Sequence, residues 1–260
     1  MGKQTETYMV EICCGSYYDA MQAAIGGASR IELNSALALG GLTPTTATLK
    51  LVKEQLPQLK VIAMVRPRGA GFCYGQEELQ VMEAECCELL ENGADGIAFG
   101  CLNPEASLDE AANEKLISMI HSYGKEAVFH RAFDCVDMPE RAMEWLIHAG
   151  VERVLTSGRA ARAYEGMEML RFLQRKYGSQ IEILAGSGVN AENVGEILNK
   201  TGISQVHSSC KVWKKDSTTV RNGVSFSFGQ GEREDCYDMV SAELVAELLD
   251  EVRKNAAIFT

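Results

Sequence analysis

The residues of this chain that could do chemistry come in short polar phrases, each at the end of an apolar run. The clearest is Ala127-Val128-Phe129 followed by His130, Arg131, Ala132, Phe133 and Asp134. Charged groups at the end of an apolar strand are costly to bury unless they are paired or working. One such stretch reads equally well as a salt bridge closing a loop. The pattern recurs, however, at Glu11 and Cys13, Glu32 and Asn34, Arg66 and Arg68, at Thr156, Ser157 and Arg159, and at His207, Ser208 and Ser209. A shared site explains that recurrence better than a set of unrelated ion pairs.

The residue types suggest two kinds of chemistry. His130 and His207, with Glu11, Glu32 and Asp134, could form acid–base pairs, since imidazole titrates near neutrality and carboxylates can set its protonation. The plainer reading of each histidine is a satisfied core residue. Arg66, Arg68 and Arg131 could hold the charge of a small anion, with Thr156, Ser157 and Ser208 as polar contacts. Gly186-Ser187-Gly188 leaves backbone N–H groups unobstructed ahead of a helix expected from Ala191, a pattern suited to phosphate. A simple tight turn is the alternative.

Nine cysteines are present. Cys13-Cys14 and Cys86-Cys87 are adjacent pairs whose side chains diverge in a strand, and no Cys-x-x-Cys occurs to suggest zinc. Cys13, Cys73, Cys101 and Cys210 fall at or just beyond strand ends, where soft thiolates would suit Cu(I). Buried structural thiols account for most of the nine on the plainer reading.

These phrases need elements to position them. Short apolar strands are expected at Tyr8–Cys13, Ser29–Asn34, Lys60–Val65, Asp95–Gly100, Lys125–Arg131, Glu152–Ser157, Glu182–Ala185 and Gln205–Ser209. Helical periodicity lies between them: Asp19–Gly26, Pro44–Leu56, Gln76–Asn92, Asp109–Tyr123, Pro139–Ala149, Tyr164–Tyr177 and Ala191–Lys200. A Gly-small-polar-strand phrase begins at Gly27, Gly93, Gly150 and Gly202, intervals that fit two β–α units each and are too long for a solenoid repeat. Eight βα units predict an α/β fold of the closed (β/α)8 TIM-barrel type, spanning about residues 8–210. A doubly wound sheet would want a Gly-x-Gly-x-x-Gly turn after the first strand, where Cys13-Cys14-Gly15-Ser16 stands instead. The chain reads as one domain over 1–260, with a C-terminal extension over 211–260 that is polar and irregular to Glu234 and ends in a helix at Ser241–Asn255. In this fold the carboxyl ends of the strands carry the chemistry. Glu11 and Cys13 share one face of their strand, as do Glu32 and Asn34.

Bulk properties narrow the function. A net charge of −11 and a pI near 5.0 argue against nucleic acid or an anionic membrane surface as partner. No apolar run approaches the roughly 18 residues of a membrane span, and Met1 to Thr7 lack the apolar core of a signal peptide. Reduced thiols in the cytoplasm are the expectation.

The phrases in order resemble the CutC family of copper homeostasis proteins. They include Glu11-Ile12-Cys13, Arg30-Ile31-Glu32-Leu33, Gly40-Gly41-Leu42-Thr43-Pro44, Arg66-Pro67-Arg68-Gly69, Phe129 to Asp134, Arg153 to Gly158, Val206-His207-Ser208-Ser209 and Arg221-Asn222. The resemblance implies a TIM barrel in a cytoplasmic homo-oligomer, binding copper as Cu(I) through cysteines that end strands one and two. The first is Cys13. At the second position this chain carries Asn34, a hard amide poorly suited to Cu(I). A second reading, from the charged ring rather than the resemblance, is an enzyme acting on a small phosphorylated or carboxylated metabolite.

Overall fold

Each strand of the ring is short, and its successive side chains point to opposite faces, which separates two cores. The computed structural model describes residues 8–258. In chain order the elements are β1 (Met9–Cys14), α1 (Tyr17–Ile25), β2 (Arg30–Leu33), α2 (Thr46–Gln55), β3 (Lys60–Met64), α3 (Gln76–Glu91), β4 (Gly96–Phe99), α4 (Glu110–Ser122), β5 (Glu126–Phe129), α5 (Pro139–His148), β6 (Arg153–Thr156), α6 (Met167–Tyr177), β7 (Glu182–Ala185), α7 (Val194–Thr201) and β8 (Gln205–Ser208). Then follow β9 (Lys211–Lys215), β10 (Val220–Arg221), β11 (Val224–Ser225), β12 (Cys236–Val240) and α8 (Ala242–Ile258). Strands β1 to β8 pair in sequence order and all in parallel, and β8 returns to β1 to close the barrel.

Odd and even residues take different sides. Ile12, Ile31, Val61, Ala63, Ile97, Phe99, Phe129, Val154, Ile183 and Val206 join the core between sheet and helices. Ile62, Met64, Ala98 and Val128 form a separate cluster inside the barrel. Burying a Leu, Ile or Phe side chain stabilises by roughly 1.5–3 kcal/mol, so both layers resist a register slip that would exchange them. By the same alternation Glu11, Cys13, Arg30, Glu32, Asn34, Arg153, Gln205 and His207 face the lumen. Gly96 has no side chain because a Cβ would lie 2.8 Å from Ile62 Cδ1 across it.

The helices begin where the chain caps them. Ser16, Thr45 and Asp109 accept from backbone N–H groups in the first turns of α1, α2 and α4, and Pro139 opens α5. Apolar stripes such as Ala142, Met143 and Leu146 of α5, or Leu170, Leu173 and Tyr177 of α6, are the faces laid on the sheet.

Three local expectations are corrected, and one glycine has a packing reason as well. Strand β5 stops at Phe129, because His130 Nδ1 accepts from Ala132 N and caps a 3-10 turn over Arg131–Cys135. Helix α7 starts at Val194 rather than Ala191, since Asn190 and Asn193 side chains fold residues 190–193 into a turn. Gly26 caps α1 in right-handed conformation (φ −70°), and it is small because a Cβ would lie 2.6 Å from Val245 Cβ of α8. The stretch after residue 210 is not irregular. β9 and β12 form an antiparallel ribbon, and β10 and β11 a hairpin turned by Asn222 and Gly223 at φ 52° and 79°.

Helix α8 packs on α1 and α7 with Val245, Leu248 and Val252 buried. It therefore occupies the eighth helix position of the barrel. Residues 209–241 form the loop between β8 and that helix, on the face where the strands end. Val240 N donates to Asp19 Oδ1 of α1 and holds the ribbon against that rim.

Candidate functional site

The lumen is layered, and its lower layer is ionic. Glu11, with no exposed surface, forms a contact ion pair with Arg30 at 2.7 Å, and Arg153 lies 3.9 Å away. Gln205 Oε1 accepts from Arg30 at 2.7 Å and from Arg153 at 3.2 Å, and Arg153 also reaches Glu126 and Glu182. Buried charges so interlocked plug the base of the barrel. Sequence reasoning passed over Arg30, Arg153 and Gln205, although Arg30 stands two residues before Glu32 and Gln205 two before His207, the spacing that puts each pair on one face.

The upper layer brings together three potential metal ligands. Register places Cys13 beside Glu32 and His207 beside Glu11. Cys13 Sγ lies 3.8 Å from Glu32 Oε1, and His207 Nε2 lies 3.4 Å from the same oxygen and 4.0 Å from Glu11 Oε1. One donor atom from each of Cys13, Glu32 and His207 falls within 4.8 Å of the others. Asn34 Nδ2 donates to Glu32 Oε1 at 2.9 Å and approaches Cys13 Sγ at 3.6 Å, so its amide serves the ligands from behind.

Electrostatics there is tightly coupled. Burial pushes the Cys13 thiol up to about 11 against the downward pull of His207. Burial also opposes charge on His207, but Glu32 and Cys13 outweigh it and hold the imidazole well above its ordinary range. Glu32 is buried, yet His207 and Asn34 hold its carboxyl below the usual value. Without an ion the cluster is a thiol beside an imidazolium–carboxylate pair. His130 behaves oppositely: burial, assisted by Arg66, lowers it to about 4 although Glu32 pulls the other way. Nδ1 accepts from Ala132 N, which leaves the proton on Nε2, a buried atom with no hydrogen-bond partner among the described residues.

Other expected site residues are engaged in building the mouth. Arg66 gives its guanidinium to the carbonyls of Leu39, Gly41 and Ala70 and clamps two loops. Arg68 pairs with Glu78 and binds the carbonyls of Gly69, Gly71 and Cys73. Asp134 accepts from Thr156 Oγ1 at 2.5 Å, Ser157 N at 3.1 Å, Arg159 N at 3.0 Å and Arg131 Nε at 2.8 Å. It is a hub that joins the loops after β5 and β6. Gly186 leaves room for Leu155 and His207, as a Cβ would lie 2.6 Å from Leu155 Cδ1 and 3.3 Å from His207 Cβ. Ser187 and Gly188 are left-handed, and Ser187 Oγ donates to Ala161 O. Ser208 Oγ donates to Val189 O. The N–H groups of Asn190, Glu192 and Asn193 are taken by asparagine side chains, so the start of α7 is not arranged around phosphate.

Above Cys13 the mouth opens into a cavity of about 290 Å³, lined by Leu37, Arg131, Ser187, Ser209, Lys211 and Met239 among others. A larger hollow of about 520 Å³ lies at the outer rim between Leu108 and Trp145, away from the lumen cluster. The smaller one adjoins the candidate ligands.

Comparison with known proteins places this geometry in a family. The CutC family profile matches residues 8–212. A CutC family protein of Treponema denticola is 44% identical over 213 residues, 82% of this chain and 85% of the relative, and one of Bacteroides thetaiotaomicron is 35% identical over 215 residues, 83% and 86%. The solved CutC of Streptococcus agalactiae, provisionally described as a copper homeostasis protein, superposes with TM-score 0.74 at 30% identity over 78% of this chain and 99% of that one. The 3-hexulose-6-phosphate synthase of Salmonella typhimurium, at 14% identity and TM-score 0.61 over 95% and 99%, shares the fold alone. With profile, sequence and structure agreeing over the barrel that carries Cys13, Glu32 and His207, the chain belongs to the CutC family.

Proposed function

We propose that the protein binds a transition-metal ion at the barrel mouth through Cys13, Glu32 and His207, and that the ion is copper. The observation that carries this is the convergence of one sulfur, one imidazole nitrogen and one carboxylate from β1, β8 and β2 within 4.8 Å. Bonds of roughly 2.0–2.3 Å require donors about 3.3–3.8 Å apart, so small side-chain rotations would close the set on an ion. Thiolate and imidazole suit Cu(I), and the mixed set with carboxylate suits Cu(II), the divalent first-row ion such sites bind most tightly. Glu32 and His207 thus supply what Asn34, in place of a second cysteine, does not. The description of the Streptococcus agalactiae relative points to the same metal.

The test is anaerobic competition for Cu(I) against a chelator, repeated aerobically with Cu(II), for wild type, Cys13→Ser and His207→Ala. Each substitution is expected to weaken binding at least tenfold. Affinity unaltered in both variants, or no binding by the wild type, rejects the reading.

Chemistry on a small anionic metabolite is the second reading, supported by the cavity that opens directly on Cys13. Its test is turnover by the copper-free protein in a screen of small organic acids, with loss of turnover in His207→Asn; no turnover of any acid counts against it.

A further inference from the structure

We propose that the mouth cavity binds a small carboxylate, anchored by Arg131 and Lys211. The second reading bears only on what the protein does with such a molecule; its binding is argued from the cavity alone. A volume of about 290 Å³ lies at the lower edge of the ~300–1,000 Å³ usual for ligand pockets, which favours a compact metabolite over a nucleotide cofactor.

The charges of the walls decide the ligand class. Asp19 also lines the cavity, but its oxygens accept from Gly15 N and Val240 N, each at 2.9 Å, and are committed to holding the ribbon. Arg131 faces the cavity from the loop after β5. Its Nε and Nη2 are held by Asp134 and Ser157, each at 2.8 Å, while Nη1 makes no hydrogen bond among the described residues. The Asp134 carboxylate that pairs with Arg131 is shared with Thr156, Ser157 and Arg159. What Arg131 offers a ligand is therefore its unengaged Nη1 edge. Lys211 enters from the ribbon on the opposite wall, where its amine lies 2.9 Å from Asp238 and half of the side chain is exposed. Asp238 is mostly buried, so Lys211 would reach a ligand while keeping that pair, with its exposed amine shared between the two carboxylates. Ser209 adds a hydroxyl to the wall, whereas Ser187 Oγ donates to Ala161 O.

A planar carboxylate suits a guanidinium held by one edge. The N–H groups of Asn190, Glu192 and Asn193 are taken by asparagine side chains, which removes the helix N-terminus as a phosphate cradle. The loop between β8 and α8 therefore does more than shield the barrel: Lys211, Asp238 and Met239 complete the pocket.

Isothermal calorimetry on the full chain, freed of metal by chelator, would use pyruvate and malate as probes, with inorganic phosphate and glycerol for comparison. At least one carboxylate is expected to bind, with affinity lowered tenfold or more in Arg131→Gln and threefold or more in Lys211→Met. Lys211 is on the exposed ribbon, so the second variant decides the matter should the first fail to fold. Absence of carboxylate binding, phosphate binding as tight as the carboxylate, or indifference to Lys211→Met and to a folded Arg131→Gln overturns the proposal. Because the protein is metal-free, failure to bind copper leaves this result untouched, and a copper-binding protein that ignores carboxylates fails here alone.

Discussion

At the scale of residues, neighbouring lumen groups hold their protons in opposite ways, and that sets measurable behaviour. Cys13 is pushed up to about 11 by burial, and His207 is held well above its ordinary range despite burial by Glu32 and Cys13. Both carry protons near neutrality, and both must lose them to ligate a metal. Copper binding is therefore expected to release close to two protons per ion around pH 7, and its apparent affinity to climb steeply with pH. Calorimetry in buffers of different ionisation enthalpy measures the number; release of none would remove Cys13 and His207 from the ligand set. His130, by contrast, is buried neutral with its pKa lowered from 6.5 to about 4. Between those values the unfolded chain binds a proton that the folded chain does not, so stability falls as the pH drops from about 6.5 toward 4. The loss is about 3 kcal/mol at most. Urea unfolding of His130→Asn should show a shallower fall over that window, and an unchanged slope would contradict the assignment.

At the scale of elements, the polar phrases do different work according to which segment carries them. Those on strands converge inside the barrel, while those on loops build its mouth. Asp134 was expected among the catalytic residues, but the 3-10 turn after β5 carries it out of the strand and onto the loop after β6. Asp134→Ala would strand several donors, among them the buried Thr156 and Ser157, at a cost of about 2–4 kcal/mol. Copper affinity should stay within twofold of wild type, because the proposed ligands stand on β1, β2 and β8; a tenfold fall would return Asp134 to the site. The turn was hard to foresee. Phe129 to Asp134 has no glycine or proline, and it bends because one imidazole caps it. The hairpin of β10 and β11 had a sequence signal in Asn222-Gly223, but each flanking strand is two residues long, too short for apolar alternation to mark it.

At the scale of the whole molecule, the barrel carries an ionic base and a polar mouth that meet directly, His207 Nε2 lying 4.0 Å from Glu11 Oε1. Glu11 belongs to the base, where Arg30 and Arg153 face it with Gln205 between them. Arg30→Met should destabilise the protein by roughly 3–5 kcal/mol, because it leaves a buried carboxylate short of its partner. Thermal or urea unfolding reads the loss. Adding Glu11→Leu to Arg30→Met should recover most of it, and no recovery would mean that Glu11 is not the group left unpaired. Much of this design can be read from the chain alone. Eight apolar runs alternating with helical segments, and a recurring glycine phrase, determine a (β/α)8 barrel, and alternation along a strand puts Glu11 with Cys13, and Glu32 with Asn34, on one face, because alternation is a local property of each strand. The stagger between neighbouring strands is not local. Cys13 meets Glu32 and His207 only because β1 pairs at one register with β2 and at another with β8, on segments far apart in sequence. Tertiary structure alone decided that these three form one cluster, that Arg66 and Arg68 turn to backbone carbonyls and Glu78, and that the final helix closes the ring.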